Sequence, residues 1–165
     1  MKLIAIVISV SIFSMLALSS HAFAAGSSSK PVSDTRPGVI DYNDGVKLMQ
    51  QAKYDRAERK FAAALKKNPE MAEAHNNLGY SLRKQGTKNY DKALSHYNQA
   101  IELKPDLAEA YMYRGVLFML MGQEAKALED HRQLTLLDRD LADALQAAIA
   151  SGEEPDGLDG LAKSW

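Results

Sequence analysis

The sequence predicts an all-α chain, with three helix-turn-helix repeats plus a C-terminal capping helix wound as a right-handed α-solenoid. Three sets of spacings predict it. Gly45, Gly79 and Gly115 recur at 34 and then 36 residues, each inside helical text. Ala57, Ala93 and Ala127 recur at 36 and then 34. Pro69 and Pro105 lie 36 apart, as do Tyr54 and Tyr90, Phe61 and Tyr97, and Ala64 and Ala100. Repeats near 34 residues signify stacked helix pairs. The exchanged order of 34 and 36 requires a two-residue insertion, which the other pairs confine to residues 85–89, a run of turn-formers where added length costs little entropy.

Taken in order, residues 1–24 form a predicted signal peptide. Lys2 opens it, an apolar run from Leu3 to Leu18 follows, and Ala22-Phe23-Ala24 supplies a small-residue cleavage site. Cleavage after Ala24 would place the chain in the periplasm or outside the cell; the alternative is an inner-membrane anchor left uncleaved. Residues 25–37 read as a flexible linker of Ser, Gly and Pro. The repeats span about 38–71, 72–107 and 108–139.

In the first repeat, Leu48, Gln51 and Ala52 continue a first helix that ends near Lys53. A second helix runs from Tyr54 to Lys67 with Ala57, Phe61, Ala64 and Leu65 on one face. Asn68-Pro69 stops it, because the residue before proline avoids the helical region. Lys104-Pro105-Asp106 repeats that punctuation, and Gly122 marks the third inter-helix turn. The repeated glycines predict close approach of two helix backbones, with Phe61 and Tyr97 filling space between neighbouring units. Residues 140–150 make the capping helix through Leu141, Ala144, Leu145, Ala148 and Ile149. Residues 151–165 read as a mobile acidic tail, with a second option: Leu158, Leu161 and Trp165 at spacings of 3 and 4 would let it dock in a groove, its own or a neighbour's.

Composition narrows the function. The 165 residues carry a formal net charge of −1, so neither a nucleic-acid surface nor a long acidic arm is indicated. The absence of cysteine removes disulfides, zinc thiolates and a catalytic thiol. His75, His96 and His131 fall on three helices without the i, i+4 pairing of a metal site. There is no phosphate-binding glycine loop and no G-x-S-x-G element, and the adjacent carboxylates Glu129-Asp130 and Glu153-Glu154 are placed on a helix surface and in the tail. No catalytic residue, cofactor or metal is expected, and no membrane insertion beyond residue 24.

The residues at repeat positions are similar to those of the tetratricopeptide repeat family over residues 38–150. The second unit matches through Leu78, Gly79, Leu82, Tyr90, Ala93, Tyr97, Ala100 and Pro105. The first carries Gly45, Leu48, Tyr54, Ala57, Phe61, Ala64 and Pro69, and the third Tyr111, Gly115, Phe118, Gly122, Ala127 and Leu134. Asp41 and His75 stand where the family favours a tryptophan-like residue, His131 replaces an aromatic, and Arg139 a proline.

The resemblance implies a concave surface lined by first helices that takes a peptide or a partner's helix. By position it would comprise Val39, Tyr42, Asn43, Val46 and Met49, then Glu73, Asn76, Asn77, Tyr80 and Arg83, then Glu109, Met112, Tyr113, Val116 and Met119. The strongest candidates are Tyr42, Asn43, Val46, Asn76, Asn77, Tyr80, Arg83, Met112, Tyr113 and Val116. Members that grip a C-terminal carboxylate resemble one another in a lysine and an asparagine on the first unit and a lysine and an arginine on the third. Here those places hold Tyr42 and Val46, then Glu109 and Tyr113, and only Asn77 fits, so that subtype is not expected. The implied function is a non-catalytic scaffold or adaptor in the bacterial envelope with a protein or peptide partner. The alternative is a self-associating assembly factor, a homo-oligomer built through the solenoid end or the tail.

Overall fold

A computed structural model describes residues 36–165; the expected leader and most of the expected linker lie outside the described residues. Seven helices follow one another: α1 (Val39–Gln50), α2 (Tyr54–Lys67), α3 (Ala72–Lys84), α4 (Tyr90–Leu103), α5 (Ala108–Leu120), α6 (Glu124–Leu137) and α7 (Arg139–Ser151). Among the described residues there is no strand. Each helix packs on the next, α1 touches α3, α3 touches α5, and α7 closes the stack against both α5 and α6. First helices thus adjoin one another on one side of an α-solenoid.

The turns within units show why the sequence divides where it does. Ala52, Gly86 and Gly122 occupy equivalent repeat positions and all have positive φ, at 55°, 107° and 70°. A left-handed residue ends a helix, so α1 stops at Gln50, three residues before the expected end near Lys53. The Ala52 and Lys53 amides turn back to the Met49 and Leu48 carbonyls, at 2.9 Å each. Gly122 and Gln123 repeat this at the end of α5, donating to Met119 and Phe118 at 2.9 and 2.8 Å. Both are the reversed hydrogen-bond pair that satisfies orphan helix carbonyls. In the second unit the two extra residues fall in a three-residue 3-10 turn, Thr87–Asn89, within the stretch the spacings isolate.

The repeated glycines are receptacles for side chains. A Cβ on Gly45 would lie 2.6 Å from the Phe61 ring, and one on Gly79 would lie 2.8 Å from the Tyr97 ring and 3.0 Å from the Ala93 carbonyl oxygen. Phe61 and Tyr97 therefore fill space inside their own units, and Tyr97 also meets Tyr113 of the next unit, with ring centroids 6.1 Å apart. Only Gly79 shows the predicted approach of backbone to backbone.

The third unit has His131 where that aromatic would stand, and α7 makes good the loss: a Cβ on Gly115 would meet Leu145 at 2.5 Å. The capping helix is thus an integral part of the third unit. Asp138 caps it, accepting from the Leu141 amide at 3.0 Å.

Three polar residues read differently in the structure. Asp130, expected on a helix surface, is 1% exposed and takes a two-pronged ion pair from Arg114, at 2.6 and 3.1 Å. Burial pushes its carboxyl up, against the pull of Arg114. His75 and His96, on separate helices, meet with their Nδ1 atoms 3.0 Å apart. His75 Nε2 also bonds the Pro69 carbonyl at 3.0 Å, the repeat equivalent of the Tyr111 hydroxyl donating to Pro105 at 3.0 Å. A histidine thus does the work of the aromatic the family favours there.

Candidate binding groove

One face each of α1, α3 and α5, covered by the C-terminal residues, forms a polar-aromatic strip. Helical spacing puts Asn76, Asn77, Tyr80 and Arg83 on a single face of α3, and Met112, Tyr113 and Val116 on the matching face of α5. Four tyrosines join the strip laterally. Tyr80 packs 4.8 Å from Tyr113 and 6.0 Å from Tyr54, and Tyr97 lies 6.1 Å from Tyr113 between ring centroids.

Residues 152–165 lie along this strip. Gly152, at φ 73°, ends α7 and turns the chain back. Glu154 then reaches the end of α3, with one carboxylate oxygen 2.9 Å from Arg83 Nη1 and the other 3.2 Å from Lys84 Nζ. Leu158 follows, buried, with its carbonyl accepting from the Tyr113 hydroxyl at 2.7 Å. A short 3-10 turn, Leu158–Leu161, carries the chain on, and Ala162 is buried in the same apolar cluster as Val46, Met112 and Val116.

The Tyr42 hydroxyl donates to the Lys163 carbonyl at 3.0 Å. Asn43 exchanges two bonds with the Trp165 backbone, accepting from its amide at 2.8 Å and donating to its carbonyl at 2.9 Å. The Trp165 ring lies 5.3 Å from Tyr42, with the Arg36 guanidinium 4.6 Å from its centroid. Of the two options left by the sequence, a free tail and a docked one, the structure has the docked one, in the chain's own groove.

Most of these bonds address backbone groups of the segment, and their donors are held in advance. Asn76 donates to Asn77 at 3.3 Å, and Asn77 to the Tyr42 hydroxyl at 3.2 Å, which leaves the hydroxyl proton directed at Lys163. Burial raises the Tyr42 hydroxyl well above the ordinary phenol range, with Glu73 and Glu109 adding to the effect, so it remains a donor.

The two ends of the strip differ in charge. Arg83 and Lys84 make one end basic. Burial opposes the Arg83 charge, but Tyr97 and Glu154 outweigh it and hold the guanidinium ionised. The other end carries Glu73, Asp106 and Glu109 beside Lys104, around a cavity of about 300 Å³ whose far wall is Leu161, Ala162, Lys163 and Trp165.

The ten candidate residues separate into three groups. Tyr42, Asn43, Arg83 and Tyr113 contact the bound segment directly. Asn76, Asn77 and Tyr80 line cavities alongside it. Val46, Met112 and Val116 have no exposed surface and belong to the apolar cluster, as do Val39 and Met49. Periodicity identifies the face of a helix but not how deep each residue lies below a covering segment. The matching residues of the tail, Glu154 and Lys163, were missed; the spacing of Leu158, Leu161 and Trp165 was the one signal for docking.

Paired helices at this period, glycine receptacles filled by aromatics and a strip of first helices define a helical repeat module for protein binding. The tetratricopeptide repeat family matches residues 45–107 and 87–155, and the chain belongs to that family. Domains of this family mediate protein–protein interactions. The search of curated proteins finds no match. Among solved structures, the first such domain of Spaghetti (RPAP3), bound to the HSP90 peptide SRMEEVD, is similar at 21% identity with a TM-score of 0.64, covering 72% of this chain and 94% of that one. The TPR2B domain of yeast Sti1 in its pHsp70 complex is similar at 22% identity and a TM-score of 0.55, over 76% of this chain and 92% of that one. The CopN–Scc3 complex matches at 17% and 0.58, over 74% and 72%.

Proposed function

We propose that this protein is a non-catalytic scaffold or adaptor of the bacterial envelope that binds a peptide or helix of a partner protein in its concave groove. The observation that carries the reading is the bound segment itself. The groove holds a chain segment, with a 3-10 turn at its middle, through backbone hydrogen bonds from Tyr42, Asn43 and Tyr113, so it has the donors and the shape for a peptide. That similar domains are seen with an HSP90 peptide and in a pHsp70 complex supports the same use of the fold. Location in the envelope rests on Lys2, the apolar run and the Ala22-Phe23-Ala24 site.

The test is site-directed photocrosslinking in the envelope of the producing cell. A photoreactive residue at position 43 faces the groove, and one at position 66 lies on the exposed side of α2. The expected result is a partner adduct from position 43 and none from position 66. An adduct from position 66 alone would move the site to the outer helices, and a dimer-sized adduct from position 43 would favour self-association.

A further inference from the structure

Three features of the groove show that its own tail fills it imperfectly. Arg83 is 2% exposed, on the floor of the strip, with its guanidinium stacked 4.9 Å from the Tyr80 ring centroid. It is ion-paired with Glu154 at 2.9 Å and has the Tyr97 hydroxyl beside it, but its nitrogens are poorly aligned on both acceptors. Asn76 is 3% exposed, faces the cavity of about 300 Å³ beside the tail, and its Oδ1 accepts no hydrogen bond. That cavity, between Tyr42, Asn77 and Leu107 on one side and Leu161 to Trp165 on the other, is room the tail does not occupy.

A buried cation and a buried amide oxygen are costly when incompletely satisfied. A segment that aligned a carboxylate on Arg83 and brought a donor to Asn76 would bind better than the tail, contact for contact. The tail's advantage is its tether, since an intramolecular segment acts at an effective concentration that no dilute partner matches.

We infer that residues 152–165 are a displaceable occupant of the groove, and that the partner which displaces them is a peptide segment with an acidic residue for Arg83 and Lys84, apolar residues after it, and a basic residue toward Glu73 and Glu109. This rests on the reading of the groove as a binding site and names its ligand. The polarity comes from the groove and is mirrored in the tail. Glu154 lies on the basic end, Leu158 and Ala162 are buried in the middle, and Lys163 lines the acidic end. Reversing such a segment would set carboxylate against carboxylate at one end and cation against cation at the other, so direction is fixed as well as composition.

The experiment uses residues 25–165 and two readouts. Trp165 is the single tryptophan, so its emission reports whether the tail is docked. A fluorescently labelled peptide with the sequence of residues 152–165 reports whether the groove is open. The receptor is compared with its Glu154→Lys/Leu158→Asp variant, whose changes lie in the tail and leave the seven helices intact. Expected are a red shift of Trp165 emission at unchanged helical circular dichroism, and peptide binding at least ten-fold tighter to the variant than to the native chain. A peptide carrying Gln at its Glu154 position should bind the variant at least ten-fold more weakly.

Each contrary result is decisive. Unchanged Trp165 emission would overturn the role of Glu154 and Leu158 in holding the tail. Equal peptide binding by native and variant receptors would overturn occlusion. Equal binding of the Glu and Gln peptides would overturn the carboxylate rule while leaving the groove a peptide site. No binding to an open receptor would overturn the inference alone, the groove itself being judged by crosslinking from position 43.

Discussion

A single methyl group separates glycine from alanine, and at Gly79 there is no space for it. The added Cβ would meet the buried Tyr97 ring at 2.8 Å and the Ala93 carbonyl at 3.0 Å, and the latter belongs to helix backbone. Alanine gains about 1 kcal/mol in helix propensity, whereas overpacking a filled core costs about 1–3 kcal/mol. Gly79→Ala should therefore lower stability by up to about 2 kcal/mol in urea denaturation, and a net gain would show that α3 and α4 separate freely. Ala52 is the opposite case. It holds φ 55° where its repeat equivalents are glycines. The left-handed conformation costs an ordinary residue about 1–2 kcal/mol, and glycine's extra chain entropy returns about 0.5–1 kcal/mol of that. Ala52→Gly should raise the thermal midpoint by the equivalent of up to about 1 kcal/mol. The repeat spacing made these positions visible; which of them are receptacles and which are turns needed the coordinates.

Between helices, two contacts carry distinct consequences. Leu145 of α7 is fully buried over Gly115 and replaces the aromatic that α6 lacks. Leu145→Ala should cost about 2–5 kcal/mol, the range for emptying a buried leucine site. Hydrogen exchange should show the loss concentrated in α6 and α7, with α1 and α2 retaining protection. The second contact joins α3 to α4 through His75 and His96. Burial lowers the pKa of both; the Pro69 carbonyl opposes this at His75, while at His96 the nearness of His75 adds to it and Glu58 opposes it. A carbonyl only accepts, so His75 donates from Nε2 and its Nδ1 accepts from His96 in the neutral pair.

Because both groups titrate lower in the folded chain than the ordinary value of about 6.5, the unfolded chain takes up protons first as pH falls. Stability is fully present above about pH 6.5 and declines below it. Urea midpoints from pH 7.5 to 5 should fall, and His96→Gln should flatten that slope; an equal slope in the variant would assign it to other groups. The sequence placed these histidines on different helices and gave no sign that they meet.

For the molecule as a whole, the question is what occupies the groove. Burial would raise the Glu154 carboxyl, but the Arg83 and Lys84 charges prevail and hold it below the usual carboxylate range. Docking is therefore favoured at pH values above about 4.3, the ordinary value for glutamate, and weakens as pH falls through the lowered one. Acidification below about pH 4 should shift Trp165 emission toward that of an exposed tryptophan before the helices melt. Simultaneous loss of both signals would mean that the tail and the stack unfold as one unit.

The sequence by itself determined the all-helical repeat, its 34-residue period, the site of the two-residue insertion, and the face of each first helix that forms the groove. These are periodic properties, and period is written in one dimension. Tertiary structure alone decided that α7 completes the third unit, that His75 meets His96, that Asp130 is buried beneath Arg114, and that Glu154 and Trp165 close the groove from within. The α7 and tail contacts join residues whose separation follows no repeat. The His75–His96 and Arg114–Asp130 contacts fall at repeat positions that in the first unit hold Lys60 with Asp41 and Asp44, where the residue types differ. Their partners become apparent only when the stack has brought the helices together.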